Sequence, residues 1–326
     1  MSATLTIGIT TFNARHTALK AIESALSQSH PPDEIIIVDD ASTDGTQEVL
    51  NQAINEVSNN IKLICLPDNQ GVAVARNRII EEAQGEFLAF FDDDDISHPE
   101  RCAQQISRIS QYESSLKKKA KENNNQVVIC HTAREQHYPD GIVRIEHTMG
   151  EAKQQDPPNG IAVAMRILRG DPLKNAYGSL ATCSQMARVE TYHTLGGFDP
   201  ALRRGEDTEF NIRLARKGGH FVGIATPLVT QTMMATSDKP IAAELNYAFY
   251  ILDKHRDLFQ SEVEYRFCRS WLDVKDSWMR RSYLEFTLRL TKLCLVHPLH
   301  TFHRIRMALP NIAGTRAVSK LHKSNL

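Results

Sequence analysis

The sequence predicts an α/β protein with a mostly parallel sheet, helices on both of its faces, and a helical extension at the C-terminal end. Three observations point there. Over the first 110 or so residues, short and nearly continuous apolar runs alternate with amphipathic stretches of helical period. Each apolar run ends in polar or acidic residues rather than alternating polar and apolar along its length. That pattern belongs to strands buried on both faces, which in turn need helical crossovers. From residue 240 onward the sequence reads as helix almost throughout.

The elements follow in order. Leu5–Thr10 is a short apolar run with a polar end. Ala18, Leu19, Ile22, Ala25 and Leu26 then fall at helical spacing, and the helix stops before Pro31-Pro32. Glu34–Val38 is rich in β-branched residues and leads into Asp39-Asp40; a second helix follows Ser42-Thr43-Asp44-Gly45. Ile61–Leu66 is a third strand, Gly71 opens a third helix, and Phe87–Phe91 is a fourth strand running into Asp92–Asp95. From about 111 to 180 the pattern weakens. LKKKAKENNNQ reads as a polar loop, Val127–Cys130 as a strand, Tyr138-Pro139-Asp140-Gly141 as the turn of a hairpin, and 148–178 as an irregular lid or acceptor loop. Order returns at Cys183–Val189, at Gly196-Gly197-Phe198-Asp199, and in a helix from Glu206 to Lys217 closed by Gly218-Gly219. The expected division is 1–235 as a catalytic domain and 236–326 as a basic helical extension.

Composition excludes some functions. With 38 Lys+Arg and 39 Asp+Glu the net charge is −1, so the chain as a whole is no nucleic-acid binder by charge. The charge is uneven. Residues 280–326 carry nine Lys+Arg and a single acid, Glu285, for a net of +8; the preceding residues carry 29 basic and 38 acidic groups, for a net of −9. Six cysteines lie far apart without a C-x-x-C pair, and are expected to be buried thiols in a reducing compartment. The N-terminus lacks the features of a secretory signal, and no run approaches the roughly 18 apolar residues of a spanning helix. A cytoplasmic protein is expected.

In parallel sheets ligands bind at the C-terminal ends of the strands. Here those ends carry Thr10-Thr11, Asp39-Asp40 and Asp92–Asp95. A run of four aspartates is a solvated acidic turn, a calcium loop or a divalent-metal site for a phosphorylated substrate. Placement after a central strand, with a second acid pair on a neighbouring strand, weakens the first reading, because crowded carboxylates need a counter-charge. The absence of D-x-[DN]-x-[DN]-G spacing weakens the second. All-oxygen ligands suit Mg²⁺ or Mn²⁺, which commonly share their shell with a diphosphate. Neither G-x-G-x-x-G nor G-x-x-x-x-G-K-[ST] is present, so neither a dinucleotide fold nor a P-loop is supported.

Three stretches, ITTFNARHTALKAIESALSQSHPPDEIIIVDDASTDGT, DNQGVAVARNRIIEEAQGEFLAFFDDDDISHPER and LGGFDPALRRGEDTEFNIRLARKG, resemble in order and spacing the inverting glycosyltransferases of family two, across about residues 5–230. The resemblance implies the GT-A fold, a nucleotide-sugar donor (a UDP-sugar first), a saccharide or lipid-linked acceptor, and a role in bacterial surface-polysaccharide assembly. It also implies roles. Thr10, Thr11 and Phe12 resemble the loop lining the nucleotide pocket. Asp40, with Asp39 as the neighbouring alternative, resembles the acid that accepts a hydrogen bond from the base. Arg76 resembles the arginine near the diphosphate. Asp92-Asp93-Asp94 resembles the D-x-D motif that holds Mn²⁺ or Mg²⁺, with Asp92 and Asp94 as the favoured ligands, and Asp207 resembles the catalytic base. Its place at a helix start is expected to favour the ionised form. The competing plain readings are ordinary first-turn acids for Glu206-Asp207, a turn with a buried aromatic for Gly196-Gly197-Phe198, exposed cations for Arg203-Arg204, and structural rather than metal-binding roles for His98 and His220. The rival functions are a GT-A-like nucleotidyltransferase, which would call for a Gly- and Lys/Arg-rich first loop where the chain has TTFNARH, and a non-catalytic binding or scaffold protein. In the C-terminal extension, Tyr283, Leu284, Phe286, Leu288, Leu290, Leu293 and Leu295, then Leu299, Phe302, Ile305 and Leu309, make apolar faces flanked by basic residues. Such helices pack on the rest of the chain or lie on an anionic membrane.

Overall fold

The computed structural model of the chain describes residues 3–57, 60–119, 127–233 and 241–306. The chain divides into two compact units, one of Met1–Val163 with Leu173–Met233 and one of Ala164–Pro172 with Met234–Leu326.

In the first unit strands and helices alternate: β1 (Leu5–Thr11), α1 (Ala18–Leu26), β2 (Glu34–Asp39), α2 (Thr46–Val57), β3 (Ile61–Cys65), α3 (Val72–Glu82) and β4 (Phe87–Asp92). A two-residue turn leads to β5 (Asp95–Ser97), followed by α4 (Arg101–Lys119), β6 (Val128–His137) and β7 (Val143–Glu146). After α5 (Ile161–Arg169), whose residues fall in both units, come β8 (Gln185–Arg188), α6 (Val189–Leu195), α7 (Glu206–Arg216) and β9 (His220–Thr232).

The sheet runs β3-β2-β1-β4-β8-β6-β9-β5, with β7 on the second half of β6. From β3 to β4 it is parallel, as the three helical crossovers α1, α2 and α3 require; β8 then enters antiparallel between β4 and β6, and β9 lies parallel to β6. Register fixes what meets at the C-terminal edge. Thr10 pairs with Asp92, Thr11 with Asp39, and Asp39 with Cys65.

Both faces are covered because both sets of alternating side chains are apolar. Ile7, Ile9, Ile37, Phe87, Ala89 and Phe91 pack with Ala18, Ile22, Leu50, Cys102 and Ile109, which places α1, α2 and α4 on one face. On the other, Phe90 meets Tyr192 and Phe198 with ring centroids at 5.4 and 5.6 Å, and Phe198 stacks on Phe210 at 4.8 Å. Gly8 lets α3 approach: a Cβ there would lie 2.4 Å from Cγ2 of Ile79. Each fully buried Ile, Leu or Phe contributes roughly 1.5–3 kcal/mol.

Three expectations change. The loop expected from residue 116 begins later, because Tyr112 and Leu116 pack against the core and carry α4 on to Lys119; the remainder, 120–126, lies outside the described residues. The irregular stretch 148–178 contains α5, held by the buried Val163, Ala164 and Leu168 and bounded by Gly160 and Gly170, both at positive φ. The cysteines are also not uniformly buried, since Cys65 ends β3 in an exposed position and Cys294 is exposed in the second unit.

The second unit is helical: α8 (Ile241–Lys254), α9 (Glu262–Met279), α10 (Tyr283–Val296) and a helical stretch over 298–306. Ser261 caps α9 by accepting from the Glu264 N–H at 3.2 Å. Leu309, expected on the last apolar face, lies outside the described residues. Among the described residues no helix is long and apolar enough to cross a membrane.

Candidate active site at the sheet edge

The loops after β1 and β2 are laced together by short polar side chains. Asn13, in the left-handed region at φ 52°, donates its N–H to Ser42 Oγ (2.8 Å), and its side-chain oxygen accepts from the Thr43 N–H (2.9 Å). Asp44 accepts from the Arg15 N–H at 3.1 Å. Asp39 is fully buried, and its carboxylate accepts from Thr11 Oγ1 (2.9 Å), the Ser42 N–H (2.9 Å) and Gln47 Nε2 (2.7 Å). Those bonds leave Asp39 holding the two loops. Asp40, also buried, accepts from the N–H groups of Gln70 (2.7 Å) and Gly71 (2.8 Å), which fixes the entry to α3. Phe12 presents a half-exposed ring, and its N–H donates to Asp93 Oδ2 at 3.0 Å.

Arg76 projects from α3 across the edge. It donates to Asp92 Oδ1 (3.1 Å) and to Glu206 Oε1 (2.6 Å), with its guanidinium near the rings of Phe198 and Phe90. Burial works against its charge, but Asp92, Glu206 and Asp207 around it raise its pKa. One cation thus gathers the acids of two distant motifs.

Asp92 ends β4, Asp93 and Asp94 form the turn, and Asp95 opens β5. Asp94 is exposed and Asp95 is buried. Burial, reinforced by the charges of Asp94 and Asp92, pushes Asp93 up to about 7 against the pull of the Phe12 N–H. Burial and the same two neighbours push Asp95 to about 7, opposed by Gln231. These are carboxylates crowded beyond what their own neighbours neutralise. Carboxylate oxygens of Asp92 and Asp95 and the Sγ of Cys183 lie within 4.8 Å of one another, a donor set that fits a divalent cation. Gln231 braces this group: its Nε2 donates to Asp95 Oδ2 (2.9 Å) and its Oε1 accepts from Arg134 Nη1 (2.6 Å), while Arg134 Nη2 donates to Ser179 Oγ (2.8 Å).

Asp207 lies in the first turn of α7, after Gly205 in the left-handed region at φ 75°. Its pKa moves opposite to the helix-start expectation. Burial and the charge of Glu206 push it up to about 6, outweighing the Thr208 N–H (2.6 Å) and Arg76, which pull it down. Desolvation, with the charge of Glu206 added to it, exceeds the helix-terminus effect here.

The other candidates separate. His220 starts β9 at the opposite end of the sheet and bonds Tyr112 OH through Nδ1 at 3.0 Å, so it stands away from the aspartates. His98 is exposed after β5. Arg203 donates to Asn69 Oδ1 (2.6 Å) and to its carbonyl (3.0 Å), tying its loop to the turn before α3. Gly196 and Gly197 take positive φ, and the buried Phe198 exchanges hydrogen bonds with Asn77 at 2.7 and 2.8 Å. Cys183, Gln231, Arg134 and the pairing of Glu206 were not singled out from sequence. Burial of an Arg and a Gln in strand-like segments is a weak signal there, and the partners lie about a hundred residues away.

A family model described as glycosyl transferase family 2 matches residues 6–169. The chain is similar to TuaG of Bacillus subtilis, named for teichuronic acid biosynthesis (43% identical over 95 residues, 29% of this chain and 37% of that one). It is similar to the Escherichia coli UDP-Glc:alpha-D-GlcNAc-diphosphoundecaprenol beta-1,3-glucosyltransferase WfaP (36% over 104 residues, 31% of this chain and 39% of that one). The match thus spans under two-fifths of the length of these curated relatives. Among solved structures, residues 1–349 of S. aureus TarS in complex with UDP-GlcNAc align with a TM-score of 0.61 at 14% identity, over 99% of this chain and 92% of that one. GalNAc-T7 with UDP, GalNAc and Mn²⁺ aligns with a TM-score of 0.54 at 17% identity, over 77% and 48%. The fold is the expected α/β GT-A fold.

Proposed function

Because the chain belongs to glycosyl transferase family 2, we propose that it moves a sugar, with inversion, from a nucleoside-diphosphate sugar to a hydroxyl of a saccharide or lipid-linked acceptor in surface-polysaccharide assembly. A UDP-sugar is the donor proposed first. The observation that carries this reading is Arg76, which draws Asp92 and the Glu206-Asp207 pair together at one sheet edge. The donor and acceptor classes printed in the name of WfaP support it.

In this reading the exposed Phe12 ring offers a surface to the base, and Thr10 and Thr11 line the same loop. Asp40 accepts from the base, while Asp39 keeps that loop in place. Arg76 faces the diphosphate. Asp92 and Asp94 would hold the cation, with Asp95 and Cys183 within reach of Asp92, and Asp93 fixes Phe12 through its N–H. Mn²⁺ or Mg²⁺ bound there would supply Lewis-acid stabilisation to the leaving diphosphate. Asp207 accepts the proton of the acceptor hydroxyl as its oxygen bonds to the anomeric carbon and the bond to the diphosphate breaks. A single displacement inverts the carbon. A base with pKa about 6 is ionised at neutral pH yet basic enough to take that proton. A nucleotide-sugar donor supports the cytoplasmic setting proposed for the enzyme.

Calorimetric titration with UDP, with and without Mn²⁺, tests the reading. UDP binding that depends on Mn²⁺ and weakens in Asp94→Asn is the expected result. A protein that binds UDP under neither condition overturns it.

A further inference from the structure

Helix α10 is apolar on two opposite sides. Leu293 is buried, and Phe286 sits against Trp278 of α9 with ring centroids 5.0 Å apart. About 180° around the helix from Leu293, Leu284, Leu288 and Leu295 are 77%, 64% and 79% exposed. The stretch 298–306 also has a packed side and exposed apolar side chains. Thr301 is buried and Arg304 stacks on Trp271 at 5.9 Å, while Leu299 and Phe302 are 79% and 66% exposed. Scattered exposed leucines are ordinary, but five large apolar side chains this exposed on two successive helical segments mark a surface that is covered in use.

The surrounding charge says by what. Lys292 and Arg306 are exposed on these two segments, and Arg281 is exposed in the turn just before α10. Glu285, the only acid in residues 280–326, is already bonded to Arg280 and Arg289. A second copy laid on this face would bring together two copies of 280–306, each with six Lys+Arg and one acid for a net of +5, and like charges oppose that pairing. An anionic surface attracts both parts: apolar side chains into its interior and cations to its phosphates.

We propose that this face docks the protein on an anionic lipid surface, with Leu284, Leu288, Leu295, Leu299 and Phe302 entering the headgroup–acyl boundary and Arg281, Lys292 and Arg306 meeting lipid phosphates. The inference stands on the second unit's own surface and does not depend on the donor assigned above. For a lipid-linked acceptor it would confine enzyme and acceptor to one plane.

The test is cosedimentation of the full chain with vesicles of phosphatidylcholine alone, and with about one-third phosphatidylglycerol. At low salt, binding at least about tenfold stronger to the anionic vesicles is expected, weakening as salt rises. Replacing the five apolar residues by Ser, or Arg281, Lys292 and Arg306 by Glu, should each lower that binding at least about tenfold while thermal melt and UDP binding stay as in the wild type. These positions are exposed, so the variants should fold. Wild-type protein that remains in the supernatant with anionic vesicles overturns the proposal, as does a five-Ser variant that binds like wild type. Self-association of the wild type that disappears in the five-Ser variant, without vesicle binding, would give the face to a second copy and also overturn it.

Discussion

Arg76 and Glu206 stand 130 residues apart in the chain and 2.6 Å apart in the fold. The contact joins α3 to α7, and through the second guanidinium nitrogen it reaches Asp92 at the end of β4. One guanidinium thus ties both acid motifs together. Because both partners are largely buried, the pair is a structural element as well as an electrostatic one.

Removing Arg76 should therefore cost stability and activity together. Arg76→Ala leaves Glu206 buried and unpaired, and breaking a buried pair from one side costs about 3–5 kcal/mol. Arg76→Lys keeps a charge but cannot bridge two acids with a planar fork, so an intermediate loss is expected. Denaturant melts check this; an alanine variant that melts like wild type would show that the pair holds nothing in place.

Asp207 sets a pH limb. Only its carboxylate form accepts a proton, so transfer should fall as pH drops below about 6. Asp207→Asn should lower kcat by on the order of 10²–10⁴ and leave UDP binding in place. The stability effect has the opposite sign. A carboxylate raised above its usual 3.8 stabilises the fold most below that value and loses the contribution as pH rises through about 6. Asp207→Asn should thus be no less stable than wild type at pH about 8. A rate that is flat from pH about 5 to 8 would count against Asp207 as the base.

Gln231 couples the acidic turn to the sheet. Gln231→Leu strips a donor from Asp95 and an acceptor from Arg134, both buried. Each group left unsatisfied costs about 1–3 kcal/mol, so the melting temperature should fall by several degrees and Mn²⁺ affinity should weaken with it. Calorimetry with Mn²⁺ separates the two effects: unchanged affinity in a destabilised variant would mean that Gln231 supports the sheet alone.

The first half of the architecture was legible because its signals are local. Ile7, Ile36 and Phe90 lie in runs of apolar, strand-forming residues, and helices of clear period separate those runs. Asp39 and Asp92 could be placed at one edge because parallel strands align their ends. What depends on antiparallel entry was not legible. β8 pairs with β4 and β6 across long separations, and with it Cys183 comes to lie within reach of Asp92. α5 is masked by the glycines that bound it, and nothing local in Glu206 reveals Arg76. The ionisation of Asp207 was misjudged because helix position can be read from sequence and burial cannot. For α10 the breadth of the apolar face was visible, but which side packs and which is exposed was decided only by Leu293 and Leu284 in the fold.

The most direct test of inverting transfer from Asp207 needs no acceptor. Proton NMR can follow the first sugar released when wild-type protein and Asp207→Asn are incubated with α-linked UDP-glucose or UDP-N-acetylglucosamine and Mn²⁺, with water standing in for the acceptor. The β-anomer should appear first with wild-type protein, and release should be nearly abolished in the variant. Appearance of the α-anomer first, or equal release by Asp207→Asn, would contradict a single displacement assisted by that carboxylate.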